Sequence, residues 1–84
     1  MLKDKSILIT GGTGSLGKAL TAHILKVYPE IKKIVIFSRD EQKQFEMAQD
    51  YPINQYPQIR FYIGDVRDEA RVKRALKGID YVIH

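Results

Sequence analysis

The sequence contains no cysteine and no tryptophan, and only three prolines and two histidines. Without cysteine there is no disulfide framework and no thiolate chemistry, which fits a reducing, cytoplasmic location. No apolar run approaches the ~20 residues that cross a bilayer. Met1 to Lys5 leads directly into an aliphatic segment and lacks the layout of a signal peptide. Neither a membrane nor a metal is therefore an expected partner. Charge of neither sign dominates: 14 basic against 10 acidic side chains leave a net charge of +4. Arg67, Arg71 and Arg74 fall at helical spacing, but no aromatic residues interleave with them. They read as the solvated outer face of a helix, and nucleic acid is not an expected partner. Eighty-four residues allow one domain at most, with a limited share of buried surface.

Glycine, by contrast, is concentrated. Four of the six lie between Gly11 and Gly17. Ile7-Leu8-Ile9 runs through Thr10 into this turn, and a helical pattern follows it. Gly12, Gly14 and Gly17 satisfy G-x-G-x-x-G, and Gly11, Gly14 and Gly17 the wider G-x-x-G-x-x-G. A strand that reverses tightly into a helix needs such residues, because they permit unusual backbone angles and close approach. The first N–H groups of the helix lack internal partners and, with the helix dipole, hold an anion such as a pyrophosphate. Gly17 is the small residue expected where helix meets strand. Thr13 and Ser15 add hydroxyls that donate to phosphate or cap the helix.

Along the chain, Lys5–Thr10 reads as a strand and Ser15 to about Tyr28 as a helix. Leu16, Ala19, Leu20, Ile24 and Val27 are expected on its inner face, and Pro29 ends it. His23 reads as a surface residue. Lys33–Phe37 is a second strand, and Asp40 to about Tyr51 a helix with Phe45 and Ala48 or Met47 turned inward. After a proline-bracketed loop, Ile59–Ile63 is a third strand. Asp68 caps a helix from Glu69 to Lys77, with Val72, Ala75 and Leu76 inward and Gly78 closing it. Tyr81 begins a fourth strand. Strands joined through helices are parallel with right-handed crossovers. The expected fold is α/β, the N-terminal half of a doubly wound parallel (Rossmann) sheet. Its strand order is 3-2-1-4, truncated in the fourth strand, with the ligand crevice at the carboxyl ends.

The end of the second strand selects the cofactor. An acidic residue there favours NAD, and an arginine accommodates the 2′-phosphate of NADP. Ser38-Arg39, with Lys43 one turn on, reads as NADP. The alternative is a surface arginine paired with Asp40 or Glu41. Asp65 and Val66 follow the third strand directly. The carboxylate either accepts from an adenine amino group or bonds its own turn backbone.

Thr10 to Gly17, Gly64-Asp65-Val66-Arg67-Asp68 and Asp80 to His84 together resemble the N-terminal portion of an extended short-chain dehydrogenase/reductase. Ile36 to Glu41 with Lys43-Gln44, and Phe61 to Asp68, are similar more narrowly to the NADP-dependent UDP-N-acetylglucosamine 4,6-dehydratases. These belong to the polysaccharide-biosynthesis (CapD-like) group, and the likeness is to its inverting, pseudaminic-acid members. The resemblance implies a UDP-sugar substrate and NADP held by Gly11, Gly12 and Gly17 around Thr13, Gly14, Ser15 and Leu16 at the pyrophosphate. Ser38, Arg39, Asp40, Glu41, Gln42 and Lys43 would surround the ribose phosphate, and Asp65 and Val66 the adenine. It implies C4 oxidation, loss of water and C6 reduction in a homo-oligomeric parent. The family's acid–base residues and most of its sugar-binding surface lie beyond His84, so residues 1–84 are expected to form a partial NADP-binding domain without catalytic residues. Tyr28, Tyr51, Tyr56, Tyr62 and Tyr81 read as packing or loop residues, and none is taken as the tyrosine of the family's Tyr-x-x-x-Lys pair. A UDP-sugar 4-epimerase parent, or a stand-alone NADP-binding module, is the alternative. The isolated chain is expected to fold poorly or to associate, because Tyr81-Val82-Ile83 presents an apolar edge.

Overall fold

A computed structural model describes residues 2–84. Seven elements alternate without exception: β1 (Ser6–Thr10), α1 (Ser15–Val27), β2 (Lys33–Ser38), α2 (Glu41–Asp50), β3 (Ile59–Ile63), α3 (Glu69–Ala75) and β4 (Tyr81–Ile83). The four strands form one parallel sheet in the order β3-β2-β1-β4, as the alternation requires. This is the N-terminal half of a doubly wound, Rossmann-type fold.

The continuous apolar strands are explained by burial on both faces. Ile7 and Ile9 of β1, with Ile34 and Ile36 of β2, pack beneath Ile24 of α1 and Met47 of α2. The alternate residues Leu8, Val35 and Phe37 face Ala75 of α3, with Val72 and Tyr62 beside them. Fully burying each such aliphatic side chain contributes about 1.5–3 kcal/mol, so β1 and β2 dominate the stability. The α3 face is thinner. Tyr81 and Val82 of β4 remain half exposed. β4 is tied to β1 at its start by a reciprocal pair: the Ser6 amide donates to Asp80 Oδ2, and the Asp80 amide to the Ser6 carbonyl, both at 2.8 Å.

The inner face of α1 is rotated from the expected one. Gly17, Thr21 and Ile24 are buried, whereas Leu16 is 74% exposed, Val27 47% exposed, and Ala19 exposed. The helix docks where it is thinnest: a Cβ at Gly17 would lie 2.4 Å from both Cα and O of Gly12. Thr21 satisfies its buried hydroxyl by donating to the Gly17 carbonyl at 2.9 Å. On α2, Met47 faces inward and Phe45 is 63% exposed; Gln44 takes the second buried position. α3 ends at Ala75, two residues short of Lys77, leaving Leu76 at its margin; Gly78, at φ +75°, closes the turn as expected. His23 lies on the surface.

Candidate cofactor site

The carboxyl ends of the strands converge on an open cleft of about 610 Å³, bordered by the glycine turn, the end of β2 and the segment after β3. The turn is built from backbone. Gly11 adopts φ +63°, the left-handed region that favours glycine, and its amide donates to the Phe37 carbonyl at 2.9 Å. Gly12 lies against β2, where a Cβ would come within 2.8 Å of Ile36 Cγ2. Gly14, the N-cap of α1, is open: its nearest neighbour would lie 3.6 Å from an added Cβ.

Thr13 and Ser15 do not cap α1. Gly14 offers no side chain, and among the described residues no side chain bonds to the first turn of α1. Thr13 instead points under the turn, its hydroxyl 3.1 Å from that of Ser38, and both residues are buried. Ser38 Oγ also accepts from the Asp40 amide at 3.0 Å. The two hydroxyls thus couple the glycine turn to the end of β2. The first N–H groups of α1 are thus left without a side-chain cap, at the positive end of the helix dipole.

The rim after β2 and β3 is built from long side chains. Asp40 caps α2 by accepting from the Lys43 amide at 3.0 Å. Glu41, Gln42 and Lys43 are exposed on its first turn; the Gln42 amide makes a 3.4 Å contact to Glu46. Arg39 pairs with neither Asp40 nor Glu41. Its Nη1 donates to Asp65 Oδ2 at 3.3 Å, from the end of β2 to the segment after β3. Asp65 is held far more firmly by Arg67: the Arg67 amide donates to Oδ1 at 2.9 Å, Nε to both oxygens at 3.1 and 3.2 Å, and Nη2 to Oδ2 at 2.7 Å. These bonds, with the further contact to Arg39, hold the Asp65 carboxyl well below the usual carboxylate range. Asp65 therefore does bond its own turn, and it also faces the cleft. Val66 beside it is half exposed.

Gln44 carries a role that periodicity does not reveal. Its buried side-chain amide donates to the Ser38 and Tyr62 carbonyls, each at 3.1 Å. It thereby ties α2 to the carboxyl ends of the paired strands β2 and β3. The only sequence signal was a polar residue one place from the expected inner face of α2. The basic stripe is not a uniform solvated face either. Arg71 donates to the Ile63 carbonyl at 2.7 Å and lies 4.2 Å over the Tyr62 ring, Arg67 is bound to Asp65, and Arg74 is exposed. Asp68 caps α3 as expected, accepting from the Arg71 amide at 3.2 Å.

One tyrosine does stand four residues before a lysine: Tyr28 precedes Lys32. Tyr28 is the C-cap of α1, and Lys32 lies just before β2, at the opposite end of the strands from the cleft. The pair is thus unavailable to a ligand there.

No helix among the described residues is long and apolar enough to cross a membrane. The family model described as polysaccharide biosynthesis protein matches residues 7–84. The chain is 51% identical to a UDP-N-acetylglucosamine 4,6-dehydratase (inverting) of Campylobacter jejuni over 84 residues, all of this chain and 24% of the relative. It is also 51% identical to a UDP-glucose 4-epimerase of Rickettsia bellii over 86 aligned residues, again 100% of this chain and 24% of the relative. The X-ray structure of Pen from Bacillus thuringiensis superposes with a TM-score of 0.89 at 40% identity, covering 99% of this chain and 25% of that one. The chain thus spans about a quarter of the length of the relatives it matches. With a family model covering nearly all of its length, the chain belongs to the polysaccharide biosynthesis protein family.

Proposed function

We propose that the cleft binds NADP and that the protein modifies UDP-sugars. The observation that carries the cofactor reading is Arg39, a guanidinium at the end of β2 with its side chain 72% exposed, beside a glycine turn whose helix lacks a side-chain cap. A planar fork suits a phosphate monoester. Two nearby carboxylates that would instead favour the free ribose hydroxyls of NAD are engaged: Asp40 in its cap and Asp65 with two arginines. Thr13, Gly14, Ser15 and Leu16, framed by Gly11, Gly12 and Gly17, would hold the pyrophosphate. Arg39 and Lys43, with Ser38, Asp40, Glu41 and Gln42 around them, would hold the ribose phosphate. Asp65 and Val66 would hold the adenine. The glycine turn leaves room for such a ligand, since nothing lies within 4 Å of a Cβ at Gly11 and the nearest atom at Gly14 is at 3.6 Å.

The reaction proposed for the whole protein is oxidation of a UDP-sugar at C4, loss of water across C5–C6 with inversion at C5, and reduction at C6. The nicotinamide, when bound, supplies the hydride acceptor and donor. This chain's own residues bind and orient the dinucleotide, and we assign them no acid–base step. A homo-oligomer in the cytoplasm completes the reading. The match to a relative named as a 4-epimerase supports a second reading, in which C4 oxidation is followed by return of hydride to the other face. Incubating the full-length protein with UDP-N-acetylglucosamine, and separately with UDP-glucose, distinguishes them by mass spectrometry for loss of water and by proton NMR of the sugar ring for inversion at C4. The dehydratase reading predicts a product lighter by one water from the first. A C4 epimer of unchanged mass from the second, with no water lost from the first, overturns it in favour of the epimerase.

A further inference from the structure

Asp65 is a single carboxylate shared unequally between two arginines. Arg67 meets it through its backbone amide, Nε and Nη2, at 2.7–3.2 Å. Arg39 meets it through Nη1 alone at 3.3 Å, from a side chain that is 72% exposed. Charge-assisted bonds shorten and strengthen together, so the Arg39 contact is the one that yields. The three groups carry a net charge of +1, and both arginines are anchored from the loop ends bordering the cleft. A ligand phosphate reaching Arg39 must draw it from Asp65 and come to rest near that same carboxylate. Were Arg39 the only partner, its departure would leave an unpaired negative charge facing an incoming dianion. Arg67 prevents this, because it stays on Asp65 whichever way Arg39 turns.

We infer that Arg67 is a positioning residue for the adenosine end of the ligand: it keeps Asp65 neutralised and fixed at the cleft while Arg39 exchanges that carboxylate for a 2′-phosphate. The inference rests on the proposed NADP reading and adds a residue that neither the glycine motif nor the end of β2 points to. Its distinguishing consequence is that Arg67 acts on phosphate discrimination without touching phosphate, and only through Asp65.

The test is calorimetric titration of the full-length protein with 2′,5′-ADP and with 5′-AMP, which differ by the one phosphate. Arg39→Ala comes first: it must collapse the affinity ratio of the two ligands, and an unchanged ratio overturns the NADP reading and this inference with it. Where Arg39 passes, Arg67→Ala is expected to lower the same ratio about tenfold through the loss of a charge-assisted pair. Arg67→Lys, which keeps the charge, recovers most of the ratio. In an Asp65→Asn background, Arg67→Ala changes the ratio by less than about twofold, as a residue acting through its partner must. Equal weakening of both ligands by Arg67→Ala overturns the inference while leaving the NADP reading intact. So does an effect that persists undiminished in Asp65→Asn, which would make Arg67 a direct phosphate ligand. Arg67 is exposed, its side chain 78% accessible, so its variants retain the fold.

Discussion

The glycine turn and the charged rim face the same cleft but are held in opposite ways. The turn is specified by missing atoms: Gly17 touches Gly12 backbone to backbone, and Gly12 sits against Ile36 where a Cβ has no room. The rim is specified by long side chains reaching across the sheet, with Arg39 and Arg67 meeting at Asp65 and Gln44 bridging β2 to β3. The first arrangement has no room for a side chain at Gly12 or Gly17. The second is exposed and rearranges cheaply, which suits groups that must change partners when a ligand arrives. The difference teaches that stability and ligand selectivity reside in separate residues of one site.

That separation breaks first, if it breaks, at Gly17. Gly17→Ala forces a Cβ onto backbone atoms at 2.4 Å, which cannot yield as a side chain would. The unfolding free energy of the full-length protein should fall by at least about 3 kcal/mol, measured by denaturant titration. Gln44→Leu comes next. It keeps the volume but leaves the part-buried Tyr62 carbonyl without its side-chain donor, for an expected loss of about 1–3 kcal/mol. Thr13→Val removes one buried hydroxyl contact while Ser38 keeps the Asp40 amide, so the loss should be about 1 kcal/mol. Arg39→Ala lies at the other extreme: its exposed ion pair contributes little to folding, and stability should stay within about 0.5 kcal/mol while ligand selectivity collapses.

The smallest expected effect is on pH dependence. The folded-state pKa of Asp65 is depressed, chiefly by the Arg67 hydrogen bonds. Its contribution to stability is therefore present above the unfolded-state value and lost only as pH falls through the lower folded value. Because the group is at the surface, screening keeps that contribution small. A carboxyl-carbon NMR titration should place the Asp65 midpoint below the ordinary carboxylate range, and Arg67→Ala should move it back up. A normal midpoint in the unsubstituted protein would mean that the Arg67 chelate does not persist in solution.

The same contrast governs what can be read from sequence. Strand and helix alternation, the 3-2-1-4 order and the glycine turn are legible because they depend on local pattern and on the small size of single residues. The inner face of α1 is not, because periodicity counts apolar residues, whereas docking follows the thinnest ridge. Gly17 and Thr21 win that contact over Leu16 and Val27. The alternative partners for Arg39, its sequence neighbours Asp40 and Glu41, are not the ones it takes: it meets Asp65, 26 residues away. Arg71 likewise leaves its solvent-facing stripe to lie over Tyr62. Long cationic side chains choose partners across the sheet, and only the fold brings those partners near. The bond from the Arg67 amide to Asp65 is the exception, since an aspartate bonding the amide two residues on is a local turn habit.

The account's central claim is that the end of β2 selects a 2′-phosphorylated dinucleotide through Arg39. Its most direct test is side-by-side titration of the full-length protein with NADP and NAD, before and after Arg39→Ala. The account predicts tighter binding of NADP and loss of that preference in the variant, with NAD affinity nearly unchanged. Equal affinities in the unsubstituted protein, or a parallel fall for both cofactors in the variant, would contradict it.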